Sequence, residues 1–471
     1  MKTLLLNPAI KGEDLYIREG RCMQKASSWA SVWPPITLAL FGALAKANGE
    51  VRLLDGNVEK MNKQELLDFV KTFSPDVVVV NTGFPSIDMD MAVARALKEL
   101  LPQVKLVSFG IFFTLLEEKA LSNYPFLDFA IIGEPEATFR ELMDLLYVDA
   151  KDFSQVKGLA HISAGVVHVN EARAPIDDLD TLPVPARDLL LNKRYRLPHN
   201  NKPFTLVNTS RGCPYRCTYC IVKPYYGNRV RRHSIAYIID EIEGCISLGI
   251  SEFLFWEEVF TLDKQFVATL CDELLQRGLK IKWAATTRVD SLDEATLLKM
   301  KAAGCYLLGL GIESGCQEIL DNARKGQTLK QITSAVDMCK RVKMQTMGHF
   351  IFGLPGENRV TAQKTIDFML TLGLDFMQAY AAVPYPKTEF GDSSRRNGWI
   401  LTDCWAKYDF GGDSIVTTDT LSAEDATYYR QKAFQSFYLR PGYLLKTAIK
   451  QLSFSQLLRV LRFFDWMKIS K

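Results

Sequence analysis

Read for apolar and polar periodicity, the first 145 residues alternate short apolar runs with stretches that carry their apolar residues on one helical face. The runs 2–7 (KTLLLN), 50–55 (EVRLLD), 75–82 (PDVVVVNT), 104–110 (VKLVSFG) and 127–133 (LDFAIIG) predict strands, and 35–49, 63–73, 88–101 and 135–146 predict the helices between them. Strands alternating with helices make a parallel sheet covered on both faces, and an unbroken run such as Val77–Val80 is what burial on both sides selects. The expectation is a five-stranded Rossmann-like or flavodoxin-like domain over residues 1–148, with any ligand at the carboxyl ends of its strands.

Residues 149–200 lose that rhythm. They are rich in Pro and Asp and read as a connector with a short hairpin around Gly165. A second βα series fills 201–390, with strands predicted at 204–210, 252–256, 280–287, 305–312, 346–353 and 376–383. Six such units in a row predict a barrel-like parallel sheet, closed or partly open, whose chemistry lies at the carboxyl strand ends. Cys213, Glu257, Arg288, Glu313 and Gly353 all fall there. Residues 391–471 are aromatic, basic and mainly helical in pattern. Their final stretch, FSQLLRVLRFFDWMK (454–468), suits either packing on the barrel or lying on a membrane surface.

Composition narrows the function classes. The chain of 471 residues is 48% hydrophobic and 24% charged, with a net charge of +3 that gives no footprint for nucleic acid. No apolar run approaches the ~20 residues that span a bilayer. The opening MKTLLLNPAIKGEDLY meets Pro8 and charges too early for a secretory leader, so a cytoplasmic protein is expected. The ten cysteines are scattered except for three in TSRGCPYRCTYCIV (209–222): Cys213, Cys217 and Cys220, spaced C-x3-C-x2-C. In a reducing compartment a tight trio points to metal binding or catalysis rather than to disulfides.

Three thiolates on one loop suit three irons of a 4Fe–4S cluster, whose usual complement is four, so one iron would stay open to another molecule. Zinc is the other reading. It takes four ligands, Cys217 and Cys220 supply one pair, and His233 and Cys245 are the nearest further donors. Arg211, Gly212 and Pro214 mark a loop, where thiols at this density are rarely packing residues.

C-x3-C-x2-C just after the first strand of a six-unit barrel, with an aromatic (Tyr219) before the last cysteine, resembles the radical S-adenosylmethionine (SAM) superfamily. The resemblance implies that the open iron is chelated by SAM, and that reductive cleavage of SAM gives a 5′-deoxyadenosyl radical that takes hydrogen from an unactivated carbon. It also implies SAM contacts. Glu257 or Glu258 in FWEEVFT (255–261) would meet the ammonium, and Arg288 in TTRVD (286–290) the carboxylate. Glu313 and Ser314 in GLGIESG (309–315) would contact SAM, and Gly353 in FGLPGE (352–357) would let backbone approach the adenine.

The upstream domain, with GEPEATFREL (133–142), APIDDLDTLPVPARDLL (174–190) and RPGYLLK (440–446), is similar to the cobalamin-binding subgroup of that superfamily. That resemblance implies cobalamin near Asp55, Asn57, Thr82 and Gly110. The sequence departs from the subgroup at two places: Asn57 stands where cobalamin domains of the D-x-H-x-x-G type carry a cobalt-ligating His, and Phe112–Phe113 follow Gly110 where many members have Gly-Gly. Cobalamin-dependent C-methylation is the leading expectation. A SAM-only cyclisation, coupling or rearrangement with an empty cobalamin-type domain is the alternative. The implied partners are a small-molecule substrate of lipidic or tetrapyrrole-like character, a reductant such as flavodoxin or ferredoxin, and, through the tail, a peripheral membrane surface. A methylthiotransferase would need three further cysteines upstream, and only Cys22 precedes Cys213. A non-catalytic sensor would not need the carboxylates at the strand ends.

Overall fold

The computed structural model describes residues 1–26, 31–198 and 200–444. The amphipathic stretch 454–468 lies outside them. The N-terminal sheet carries five parallel strands in the order β4-β1-β5-β6-β7: β1 (Lys2–Asn7), β4 (Glu50–Asp55), β5 (Val77–Asn81), β6 (Lys105–Phe109) and β7 (Phe129–Ile131). The anticipated hairpin forms as β8 (Leu159–Ser163) and β9 (Val166–Val169), and β8 pairs antiparallel with β7. The sheet therefore has seven strands rather than five, and part of the presumed connector belongs to it. Val77–Val80 are at most 1% exposed, as helices on both faces require.

One element was not foreseen. Between β1 and the first helix (Ile36–Ala45) lies a hairpin of β2 (Tyr16–Glu19) and β3 (Cys22–Lys25). Arg18 on β2 reaches the carboxyl edge of the sheet. It pairs with Asp90 at 2.7 Å and donates to Asn7 at 3.1 Å and Ser86 at 2.9 Å.

The second sheet has the order β10-β13-β14-β15-β16-β17, all parallel: β10 (Phe204–Asn208), β13 (Glu252–Trp256), β14 (Lys282–Thr287), β15 (Cys305–Glu313), β16 (Gln345–Phe352) and β17 (Phe376–Ala381). β10 and β17 do not pair, so this is a partial barrel. A two-stranded ladder, β11 (Ser210–Arg211) and β12 (Arg231–Arg232), brackets the cysteine loop. Beyond residue 390 the pattern is only partly helical. The helix Ala423–Tyr438 packs on β16 and β17, whereas residues 397–422 are mostly irregular, and their Trp405, Tyr408 and Phe410 return to the N-terminal half.

Two sets of buried ions tie the parts together. Arg187, in the connector, pairs with Glu241 and donates to the Leu206 carbonyl at 2.6 Å, which locks the connector onto β10. Arg211 and Arg231 flank the cysteine loop and pair with Glu136 and Glu134 at the start of the helix Pro135–Tyr147, all four side chains being 7% exposed or less. Removing one member of such a group strands a charge in a poorly solvated place. Arg231→Met is expected to cost about 3–5 kcal/mol and to lower the urea midpoint. Adding Glu134→Leu is expected to recover part of the loss, and equal midpoints for Arg231→Met and wild type would show that the quartet carries no stability.

Candidate active site

A cavity of about 810 Å³ lies inside the partial barrel. Cys213, Cys217 and Cys220 line its carboxyl end, as free and half-buried thiols. Gly212 makes their loop possible. Its φ is +91°, and a Cβ there would stand 2.1 Å from the Arg229 carbonyl oxygen, so any other residue would push the loop off the Arg229 backbone. The Thr218 amide donates to the Ala323 carbonyl at 3.1 Å, which ties the loop to the segment after β15. Burial pushes the Cys220 thiol up to about 12 and raises that of Cys213, so thiolate ligation here would displace protons as metal enters. Among the described residues, no three His, Cys, Asp or Glu side chains close on a single metal ion.

Around the thiols stand charged groups. Glu258 lines the cavity and pairs with Arg21, which comes from the β2–β3 turn and sits 4.8 Å from the centre of the Trp256 ring. Glu313 closes β15 at a register shift and takes a left-handed φ of +68°, an unusual conformation for a non-glycine residue that turns its carboxylate into the cavity. Lys325 binds it at 2.6 Å, both side chains being buried. Arg288 lies over the Tyr215 ring at 3.6 Å and donates to Asp290 at 2.8 Å and to the Lys325 carbonyl at 2.7 Å. The result is a mixed-charge collar beside three open thiols, suited to a zwitterionic ligand that carries both an ammonium and a carboxylate.

The structure brings together the cysteines, Glu258, Arg288 and Glu313, as the sequence suggested. Three other candidate residues lie off the cavity wall. Glu257 points away from the cavity and accepts from Thr209 at 2.6 Å, and burial lifts its carboxyl to about 7. Ser314 is fully buried, bonding Thr365 at 3.0 Å and the Cys316 amide at 3.1 Å. Gly353 faces Ala426, and its amide donates to the buried Glu357 at 2.6 Å. Sequence reasoning missed Arg21, Lys325 and Glu357. The Glu at the end of FGLPGE was a visible signal that the glycines obscured.

The four positions assigned to cobalamin are filled from within. Asp55 accepts from Tyr195 at 2.8 Å and Asn7 at 2.9 Å, Asn57 bonds both backbone groups of Tyr16, and Thr82 bonds Ser108 at 2.8 Å. A Cβ on Gly110 would meet the Thr82 carbonyl oxygen at 2.1 Å, so that glycine serves the chain's own backbone. Phe112 and Phe113 are fully buried. In this conformation these four residues are engaged within the domain's own fold and offer no free side chain to a corrin. The trio and the charged collar, by contrast, fit an open-iron cluster and SAM.

This is the architecture of a two-part α/β enzyme: a sheet domain docked over the carboxyl end of a partial barrel that carries three free thiols. A family model described as "Radical SAM superfamily" matches residues 207–369, and one described as "B12 binding domain" matches residues 26–143. The chain is 32% identical over 414 residues to the uncharacterized methyltransferase PH0819 of Pyrococcus horikoshii, covering 88% of this chain and 89% of that one. It is 27% identical to the anaerobic magnesium-protoporphyrin IX monomethyl ester cyclase of Cereibacter sphaeroides, covering 81% of this chain and 63% of the cyclase. Among solved structures, the cobalamin-dependent SAM radical enzyme OxsB superposes with a TM-score of 0.75 at 16% identity, over 100% of this chain and 71% of OxsB. TsrM of Kitasatospora setae does so at 0.67 and 19% identity, over 85% of this chain and 79% of TsrM. The chain belongs to the radical SAM superfamily, to the branch that carries a B12-binding domain, and it is an enzyme.

Two measurements check the site. Cys217→Ala is expected to lose most of the roughly four irons per chain that a 4Fe–4S cluster brings, while Cys22→Ala, at the cavity but outside the trio, keeps them. Iron retained in Cys217→Ala would remove the trio as the cluster's ligand set. Glu357 tests the fold beneath the site. Burial raises its carboxyl from 4.5 to about 8, so the native state favours the protonated acid. An acid raised on folding stabilises fully below its unfolded value and loses that contribution as pH climbs through the folded one. The stability difference between wild type and Glu357→Gln should therefore shift against wild type between about pH 4.5 and about 8. A constant difference across that window would show that Glu357 is not buried as the acid.

Proposed function

We propose that this protein is a radical SAM C-methylase acting on an unactivated carbon. The observation that carries the reading is the meeting of three free thiols with Glu258, Glu313, Lys325 and Arg288 at one end of one cavity. When bound there, a 4Fe–4S cluster and SAM supply a 5′-deoxyadenosyl radical that abstracts hydrogen from the substrate. The protein's part is to bind, orient and shield. Cys213, Cys217 and Cys220 would hold the cluster through three of its irons. Glu313 and Glu258 accept from the SAM ammonium, and Lys325 and Arg288 meet its carboxylate. Arg21 holds Glu258 before SAM arrives and must release it, wholly or in part, for that carboxylate to take the ammonium. The N-terminal hairpin closes the carboxyl end and keeps water from a radical intermediate.

Cobalamin enters the proposal through the match of residues 26–143 and through the relatives' names. Methylation rather than cyclisation is preferred because PH0819, matched over 88% of this chain and 89% of its own, is named a methyltransferase. The cyclase relatives keep a SAM-only ring closure as the second reading. A reductant of the flavodoxin or ferredoxin type would reduce the cluster. A cytoplasmic setting suits the free thiols, and no helix of the described residues is long and apolar enough to cross a membrane.

Anaerobically reconstituted protein with dithionite and SAM is expected to release 5′-deoxyadenosine, and with hydroxocobalamin to take up the corrin and form S-adenosylhomocysteine as well. Glu313→Gln is expected to cut 5′-deoxyadenosine formation about tenfold to a hundredfold, the worth of one charge-assisted hydrogen bond, with iron content unchanged. SAM cleavage at the wild-type rate in that variant would remove Glu313 from the site. A product lacking a SAM-derived methyl group would favour cyclisation.

A further inference from the structure

The cavity does not stop at the cysteine end. Its walls include Phe204, Gln345 and Phe376, each the first residue of its strand, and Phe253 and Tyr306, each the second. It thus follows the strands along their length, roughly 20 Å for the six residues of β17 at ~3.3 Å each. The burial pattern says the same independently. Along β16 the residues Gln345, Met347, His349 and Ile351 are half-buried while the alternate ones are fully buried, and along β17 the half-buried set is Phe376, Gln378 and Tyr380. In a filled barrel the inward face is the most buried one. Here the inward face is the accessible one, so among the described residues the lumen runs the length of the strands.

Its chemistry is uneven. Five of the six charged side chains on the wall (Arg21, Glu258, Arg288, Glu313 and Lys325) stand at the cysteine end, and Asp375 stands at the foot. Between them the wall is mainly Phe, Tyr, Leu, Ala, Met and Ile, with single polar residues such as Thr286 and Gln345 and one linked polar group of three. His349 Nδ1 bonds the Tyr380 hydroxyl at 3.2 Å, and Tyr380 donates to Gln378. A site of this volume, mainly apolar with a few placed polar groups, is a binding site rather than a packing defect.

We propose that the lumen takes a long hydrocarbon chain, acyl or isoprenoid, lying along the strands with its reacting carbon at the cysteine end. The proposal rests on the reading above only for which end reacts. Its length and shape come from the lumen itself. A flat macrocycle would need breadth at the cysteine end and would leave the far half of the lumen empty. The His349–Tyr380–Gln378 group would meet a hydroxyl, ester or ether oxygen partway along the chain.

The test uses full-length, anaerobically reconstituted protein and cis-parinaric acid, a long-chain fluorescent fatty acid, as the probe. It is expected to bind and to be displaced by straight-chain alcohols whose affinity rises about three- to fourfold per added methylene until the lumen is full. Phytol competing more strongly than hexadecanol would assign the isoprenoid source, and the reverse would assign the acyl one. Gln345→Trp, at the foot of the lumen, is expected to weaken the long-chain alcohols at least tenfold and leave hexanol unchanged, while Gln345→Leu keeps both. Hexanol and hexadecanol competing equally, or protoporphyrin displacing the probe where hexadecanol does not, would overturn the proposal. The chain-length series on the wild-type protein decides the matter even where the Trp variant fails to fold. Substrate-free 5′-deoxyadenosine is measured on the same sample. Its absence beside normal length-dependent binding would count against the radical SAM chemistry and leave the channel standing.

Discussion

The buried quartet of Arg211 and Arg231 with Glu134 and Glu136 is the constraint on which the rest of the molecule depends. Arg211 immediately precedes Gly212 and Cys213, and Arg231 sits opposite it on the two-stranded ladder that closes the cysteine loop. Both guanidiniums spend their donors on carboxylates that begin a helix of the other domain, where the helix N-terminus already favours negative charge. Arg–carboxylate forks fix direction as well as distance. The position of the thiols is therefore set from outside the barrel. A barrel without the N-terminal domain would expose two arginines at the base of its own cysteine loop. The same geometry accounts for the arginine-rich stretch after the loop: Arg229 pairs with Asp177, Arg231 with Glu134, and Arg232 lies near Glu257 at 3.4 Å. The charges of Arg231 and Arg232 are thus taken up inside the protein, while Arg229 stays at the surface.

A second coupling runs through the hairpin of β2 and β3. Arg18 on one strand is turned into the sheet's carboxyl edge, and Arg21 in the turn is aimed at Glu258 in the barrel. Asp90 and Asp55 at that edge are both pushed up to about 6 by burial, so each needs its cationic or hydroxyl partner to stay ionised at neutral pH. One short hairpin thus satisfies the polar rim of one domain and roofs the site of the other. Whatever occupies the rim must negotiate with Arg18, and whatever occupies the iron end must negotiate with Arg21.

Most of the architecture was legible because the strands are apolar and evenly spaced. All six barrel strands and all five parallel strands fall where the runs of Val, Ile, Leu and Phe placed them. The β2–β3 hairpin was not legible. Its strands are four residues each, and YIREGRCMQK mixes charge into both, because its Arg18 and Glu19 are buried against polar partners rather than exposed. The site was legible where a motif carried the chemistry and illegible where the fold decided direction. Glu257 and Glu258 are adjacent, and only the path of the chain after β13 turns Glu258 to the cavity and Glu257 to Thr209. Lys325 lies twelve residues beyond Glu313 in a stretch with no pattern of its own, and only the loop after β15 brings the two together. Ser314 and Gly353 sit inside recognisable motifs, yet their work is local: one bonds Thr365 and the next turn, the other supplies a left-handed φ of +90°.

The open lumen also divides the labour within each strand. The outward residues of β16 carry the packing: Thr346, Phe350 and Phe352 are at most 1% exposed, and a Cβ on Gly348 would come within 2.6 Å of Leu374. Interiors at that density feel a single methylene. The inward residues make far less of the barrel's stability, because they face space rather than atoms. Substitution on that face changes which molecule fits while leaving intact the helix-covered face that holds the sheet. A fold in which stability and selectivity sit on opposite faces of the same strand can exchange substrates by changing alternate residues, with the thiol loop and its arginine anchors untouched.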